Sequence, residues 1–85
     1  MPSVQIYATG YCPFCTRARA LLERKGVPFE EIRIDRDRAQ RRIMIERSQR
    51  ETVPQIFIGD VHIGGYDDMA ALDASGALDA LLATA

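Results

Sequence analysis

Only two cysteines and one histidine occur among the 85 residues. A closed zinc site takes four ligands, so this donor set is too small for one, and no bound metal is expected. His62 stands between Val61 and Ile63 and is expected to alternate outward as a surface residue. No apolar run approaches the roughly 20 residues that span a bilayer. The opening MPSVQIYATG has no basic stretch followed by an apolar one, so no signal peptide is expected. The expected compartment is the reducing cytoplasm, where a permanent disulfide is disfavoured. Repeats, low-complexity tracts and linkers are all missing. The net charge of −1 gives no bulk attraction to nucleic acid or to an anionic membrane.

Hydrophobic residues make up 47% and charged residues 27%, the balance of an ordered globular chain. The length suits one domain, residues 1–85. Charge is unevenly spread. Residues 33–50 hold seven arginines against Asp35, Asp37 and Glu46, a local excess of four positive charges. From Gly59 onward there are five aspartates and neither lysine nor arginine. Without interleaved aromatics the arginines make a poor RNA-binding pattern, and a solvated helix face is the simpler account.

SVQIYA (3–8) alternates around Val4, Ile6 and Ala8, with Tyr7 on the other face, and predicts a strand. From Pro13 the period changes, and Phe14, Cys15, Ala18, Leu21 and Leu22 fall at helical spacing until Gly26 and Pro28. Residues 28–35 predict a second strand, parallel to the first across a right-handed crossover. Residues 36–50 predict an amphipathic helix with Ala39, Ile43, Met44 and the stem of Arg47 inward. Residues 55–65 predict a hairpin turning at Gly59-Asp60. One or two short helices follow, broken near Gly76, with Met69, Leu72, Leu78, Leu81 and Leu82 inward. The order β-α-β-α-β-β-α gives an α/β fold, a small mixed sheet flanked by helices.

TGYCPFCTRAR (9–19) sets Cys12 and Cys15 three positions apart at a strand-to-helix junction. Residues at that spacing share a helix face, so the two sulfurs can bond to each other. With Pro13 in the first turn, Cys12 is the N-cap, where free N–H groups and the positive end of the helix dipole favour a thiolate. Cys12 is therefore the expected attacker, and Cys15, one turn inside, the resolving thiol. Such a pair in a reducing compartment points to redox chemistry rather than a staple or a metal.

CPFC after a first strand, TVP at Thr52-Val53-Pro54 and GGYDD at 64–68 together resemble a glutaredoxin, over essentially the whole chain and of the small bacterial dithiol type. The resemblance implies a thioredoxin-like fold with a four-stranded mixed sheet. It implies a glutathione-dependent thiol–disulfide oxidoreductase that reduces protein disulfides and glutathione mixed disulfides. Glutathione is then a co-substrate, with no permanently bound cofactor. Glutathione reductase acts indirectly through the glutathione pool, and the protein works as a monomer. The implied glutathione site comprises Tyr11, Phe14, Thr52, Val53, Pro54, Gly65, Tyr66, Asp67 and Asp68. A cis Val53–Pro54 bond would present the Val53 backbone to an extended thiol peptide. The Tyr66 and Asp67 N–H groups would receive the γ-glutamyl carboxylate, with Asp67 or Asp68 taking the α-ammonium.

Two positions depart from the family pattern. Thr9 stands where a lysine is common, and Phe14 where tyrosine is frequent. Arg36 or Arg42 is the candidate to replace the missing cation. The main alternative is a redoxin recharged by thioredoxin reductase that donates electrons to ribonucleotide reductase. GGYDD weighs against it. A [2Fe–2S] cluster shared between protomers through Cys12 and glutathione is a third reading, opposed by Pro13.

Overall fold

The computed structural model describes residues 3–83. Its strands are β1 (Val4–Ala8), β2 (Glu30–Arg33), β3 (Gln55–Ile58) and β4 (Val61–Gly64). Its helices are α1 (Pro13–Arg24), α2 (Arg38–Ser48), α3 (Tyr66–Ser75) and α4 (Ala77–Ala83). The strands form one sheet in the order β2-β1-β3-β4. β1 and β2 run parallel, with Ala8 beside Arg33, while β1–β3 and β3–β4 are antiparallel. This is the mixed, four-stranded, thioredoxin-like arrangement expected. The final helical stretch divides at Gly76, whose φ of +85° lies in the left-handed region that glycine enters freely.

Helices cover both sheet faces. On one, Val4, Ile6, Ala8, Ile56, Ile58 and Ile63 pack against Cys15, Ala18, Leu21 and Leu22 of α1 and Met69, Leu78 and Leu82 of α3 and α4. On the other, Tyr7, Ile34 and Phe57 meet Met44 of α2. Burying each such large side chain contributes about 1.5–3 kcal/mol, so these layers hold the ends of β1 and β3 in register. Among the described residues no helix is long and apolar enough to cross a membrane.

Some element limits and faces differ from the sequence expectation. β2 and α2 are shorter than residues 28–35 and 36–50, because 34–36 turn and Asp37 caps α2 by accepting the Ala39 N–H at 3.0 Å. Gln49, at φ +59°, ends α2. The inward face of α2 carries Met44 and Ser48, while Ala39 and Ile43 are exposed. Ile43, Met44 and Ile45 are consecutive, so one helix cannot turn all three to the sheet. The stem of Arg47 does cover apolar surface, its guanidinium lying 4.0 Å from the Phe57 ring centroid. His62 is half-buried rather than fully outward, stacked on Phe57 at 4.9 Å between ring centroids. The face of β4 it occupies looks onto α2 and is not bare to solvent.

Candidate functional site

Cys12 is the N-cap of α1, in extended conformation, with Pro13 as the first helical residue. Proline suits that position because its absent N–H would have no helical partner. The Cys12 sulfur accepts the Cys15 N–H at 3.4 Å and reaches the Val53 carbonyl oxygen at 3.8 Å. It is half-buried, whereas Cys15 is 0% exposed beneath it. Burial pushes the Cys15 thiol up to about 11, and its neighbour Cys12 adds to that, against a lowering hydrogen bond from the Thr9 backbone. Of the two sulfurs, one is open to a partner and the other is held back as a thiol.

The Val53–Pro54 peptide bond is cis. Pro54 is buried, Val53 half-buried and Thr52 exposed. Beside this turn, the Pro54 carbonyl would lie 3.5 Å from a Cβ placed on Gly65, so the start of α3 abuts the turn. Gly65 is the N-cap of α3 and has no side chain to offer. Asp68, at the third helical position, reaches back instead and accepts the Gly65 N–H on Oδ2 at 2.9 Å. Arg50 donates to the same oxygen at 2.9 Å. Both contacts hold the Asp68 carboxyl below the usual range. Gly64, at φ +114°, lies so close to Asp68 that a Cβ there would overlap its carboxylate. Asp67 is exposed, and no described residue pairs with it.

The aromatic neighbours split. Phe14, 47% exposed, lies 6.4 Å from the Tyr66 ring and so links the starts of α1 and α3. Arg17 covers the Phe14 ring at 5.2 Å. Tyr11, next to Cys12, is 80% exposed. The start of α1 and the turn at 52–54 meet at the Cys12 sulfur, and the start of α3 adjoins both through Tyr66 and Gly65. Cys15, Phe14, Val53, Pro54, Gly65 and Tyr66 lie along that junction.

Several participants carried no motif in the sequence. Arg33 lies over Gly10, where a Cβ would collide with its guanidinium. Asp35 accepts from Arg33 Nε at 2.8 Å and Nη2 at 2.6 Å, and from the Gly10 N–H at 3.3 Å. This bidentate pair ties β2 to the loop before Cys12, and it holds the Asp35 carboxyl well below the ordinary carboxylate range. The cation at this loop is thus Arg33, reaching in from the neighbouring strand. Gln55 and His62 form a second contact behind the 52–54 turn, the carboxamide oxygen lying 2.7 Å from the ring nitrogen. A signal for Gln55 existed, because a polar residue opening the apolar strand QIFI must find partners inside.

The Glutaredoxin family model matches residues 4–63. Glutaredoxin 3 of Escherichia coli (strain K12) is 58% identical over 82 residues, covering 96% of this chain and 99% of that relative. Glutaredoxin of Pseudomonas aeruginosa is 51% identical over 82 residues, with 96% and 98% covered. Among solved structures, glutaredoxin from Brucella melitensis is 54% identical, with a TM-score of 0.85 over 96% of this chain and 89% of that one. A buckwheat glutaredoxin–glutathione complex is 27% identical, with a TM-score of 0.88 over 95% and 76%.

Proposed function

We propose that this chain, which belongs to the glutaredoxin family, uses glutathione to reduce mixed disulfides and protein disulfides, with Cys12 as the attacking sulfur. Thiol–disulfide oxidoreduction comes with the family. Glutathione dependence, the substrates and the residue roles are our reading. The observation that carries it is the Cys12 sulfur at the α1 N-terminus, open to a partner and 3.8 Å from the Val53 carbonyl, with Cys15 buried behind.

The Cys12 thiolate attacks the glutathione sulfur of a glutathionylated substrate. A new S–S bond forms to Cys12, the old one breaks, and the substrate leaves as thiolate and takes a proton from water. The thiolate of a second glutathione then attacks the glutathione sulfur on Cys12, giving oxidised glutathione and restoring the Cys12 thiolate. With a protein disulfide, Cys12 first bonds to one substrate sulfur. Cys15 gives up its proton and attacks Cys12, releasing the substrate dithiol and leaving a Cys12–Cys15 disulfide, which two glutathione molecules reduce. The leaving group departs best when its own thiolate is stable, which favours a sulfur at a helix N-terminus.

In this reading the Val53 backbone pairs with the extended tripeptide as a short added strand, beside Thr52 and Pro54. The N–H groups of Tyr66 and Asp67, at the start of α3, take the γ-glutamyl carboxylate. Asp67, whose carboxylate is uncommitted, takes the α-ammonium, while Asp68 holds the helix start. Tyr11 and Phe14 wall the groove. The protein acts as a cytoplasmic monomer with no resident cofactor.

The test is glutathione-dependent turnover of a glutathionylated peptide, coupled to glutathione reductase. Cys12→Ser is expected to be inactive, and Cys15→Ser to keep this turnover while losing reduction of a protein disulfide. An active Cys12→Ser protein overturns the assignment. Turnover driven solely by thioredoxin reductase replaces it with the redoxin reading.

A further inference from the structure

Gln55 is 0% exposed in β3, yet its carboxamide is fully engaged. Its Nε2 donates to the Thr52 carbonyl at 3.1 Å and to the Thr52 hydroxyl at 3.2 Å. A carbonyl can only accept, so the amide nitrogen must face Thr52 and Oε1 must face away. Facing it is His62 Nε2 at 2.7 Å. The ring nitrogen is therefore the donor, and it carries its proton in both the neutral and the charged ring. The imidazole is held in place by stacking on Phe57, whose ring also meets the Arg47 guanidinium. A buried amide left half-bonded costs about 1–3 kcal/mol, so removing the His62 donor frees Gln55 to rotate.

Rotation matters because of what Thr52 shares with Val53. The Thr52 carbonyl and the Val53 N–H belong to one planar peptide unit and point in opposite directions. Drawing the Thr52 oxygen inward turns the Val53 N–H outward. The next carbonyl, that of Val53, is the one facing the Cys12 sulfur.

We infer that His62 and Gln55 are positioning residues, which act through the Thr52 carbonyl to aim the Val53 backbone at an incoming thiol peptide. The inference rests on the substrate-binding role proposed for Val53. It assigns His62 a part in substrate affinity although the residue belongs to the opposite sheet face from Cys12. Neither residue touches the reacting sulfurs, so their loss is felt in peptide binding and not in the reactivity of Cys12.

The experiment compares wild type, His62→Phe and His62→Gln. Phenylalanine keeps a ring to stack on Phe57 but has no donor, whereas glutamine restores an N–H. KM for the glutathionylated peptide is expected to rise about fivefold in His62→Phe, the equivalent of one neutral hydrogen bond. In the same variant kcat and the rate of Cys12 alkylation by iodoacetamide are expected to stay within about twofold. His62→Gln is expected to recover most of the lost affinity. A KM unchanged in His62→Phe, or an alkylation rate that falls in step with turnover, overturns the inference. So does a glutamine variant as impaired as the phenylalanine one. If the wild type itself does not turn the peptide over, the proposed function fails, and backbone amide chemical shifts decide the positioning separately. Val53 resonances displaced in His62→Phe and restored in His62→Gln support it, and unmoved resonances overturn it.

Discussion

Arg50 and Asp68, eighteen residues apart in the chain, meet at 2.9 Å on the same carboxylate oxygen that accepts the Gly65 N–H. One aspartate thereby joins the approach to the 52–54 turn to the first turn of α3. Its neighbour Asp67, one position earlier, projects to solvent uncommitted. Two adjacent acids of the same type thus stand in different surroundings.

That separation is measurable. Asp68→Ala removes the hydrogen bond to the helix N-terminus, about 1 kcal/mol of capping, and is expected to lower Tm by about 4–8 °C. Asp67→Asn is expected to leave Tm within about 2 °C, because substitution of an unpaired surface residue changes stability little. It is expected instead to raise KM for glutathione by up to about fivefold, the worth of an exposed ion pair. Thermal melts and glutathione titrations of both variants check the assignment, and a reversal of the two effects sinks it.

The buried thiol predicts a pH-dependent pattern. Cys15 rises from an ordinary 9.0 to about 11 on folding. A group raised in this way supports the folded state fully below its unfolded value and loses that support as pH climbs through its folded value. The reduced protein is therefore expected to lose stability between pH 9 and 11, and Cys15→Ser to lose less over that interval. In the same logic, brief iodoacetamide treatment at pH 7 modifies Cys12 alone. Mass spectrometry of the labelled peptides, and denaturation at several pH values, read both outcomes.

At the acid end the pair Arg33–Asp35 sets the expectation. Asp35 is held well below its ordinary value of 3.8 by the guanidinium and by the Gly10 N–H. Its contribution is present above that value and is lost as pH falls through the folded one. The gap in urea midpoint between wild type and Asp35→Asn is expected to be open at pH 7 and to narrow steadily below pH 3.8. A gap independent of pH removes the electrostatic account of the pair. Its partial exposure keeps the effect modest.

The parts of this fold legible in the sequence are those with a local cause. β1 announces itself by alternation, α1 by a cysteine cap followed by proline, and the hairpin by Gly59-Asp60. The cysteine pair needs no tertiary information, since its spacing and its place at a helix start are both local. Arg33 over Gly10, Arg50 on Asp68 and His62 on Gln55 join residues 23, 18 and 7 positions apart, and side-chain contacts of that kind are set by the folded chain rather than by a local motif. The inward face of α2 was ambiguous for a related reason. With Ile43, Met44 and Ile45 in succession, the choice of Met44 was made by the sheet beneath. His62 misled because alternation distinguishes two faces of a strand without saying whether the second is covered. In this sheet it is covered by α2.

An edge strand offers unpaired N–H and C=O groups to any strand that comes alongside. β2 lies at one border of the sheet, only four residues long, with Glu30 and Glu31 both exposed. A second molecule bringing its own β2 alongside would set acid against acid, and a short acidic border is a poor template for a stray strand. The strand whose Arg33 reaches the loop before Cys12 thus also presents a border that resists edge-to-edge pairing.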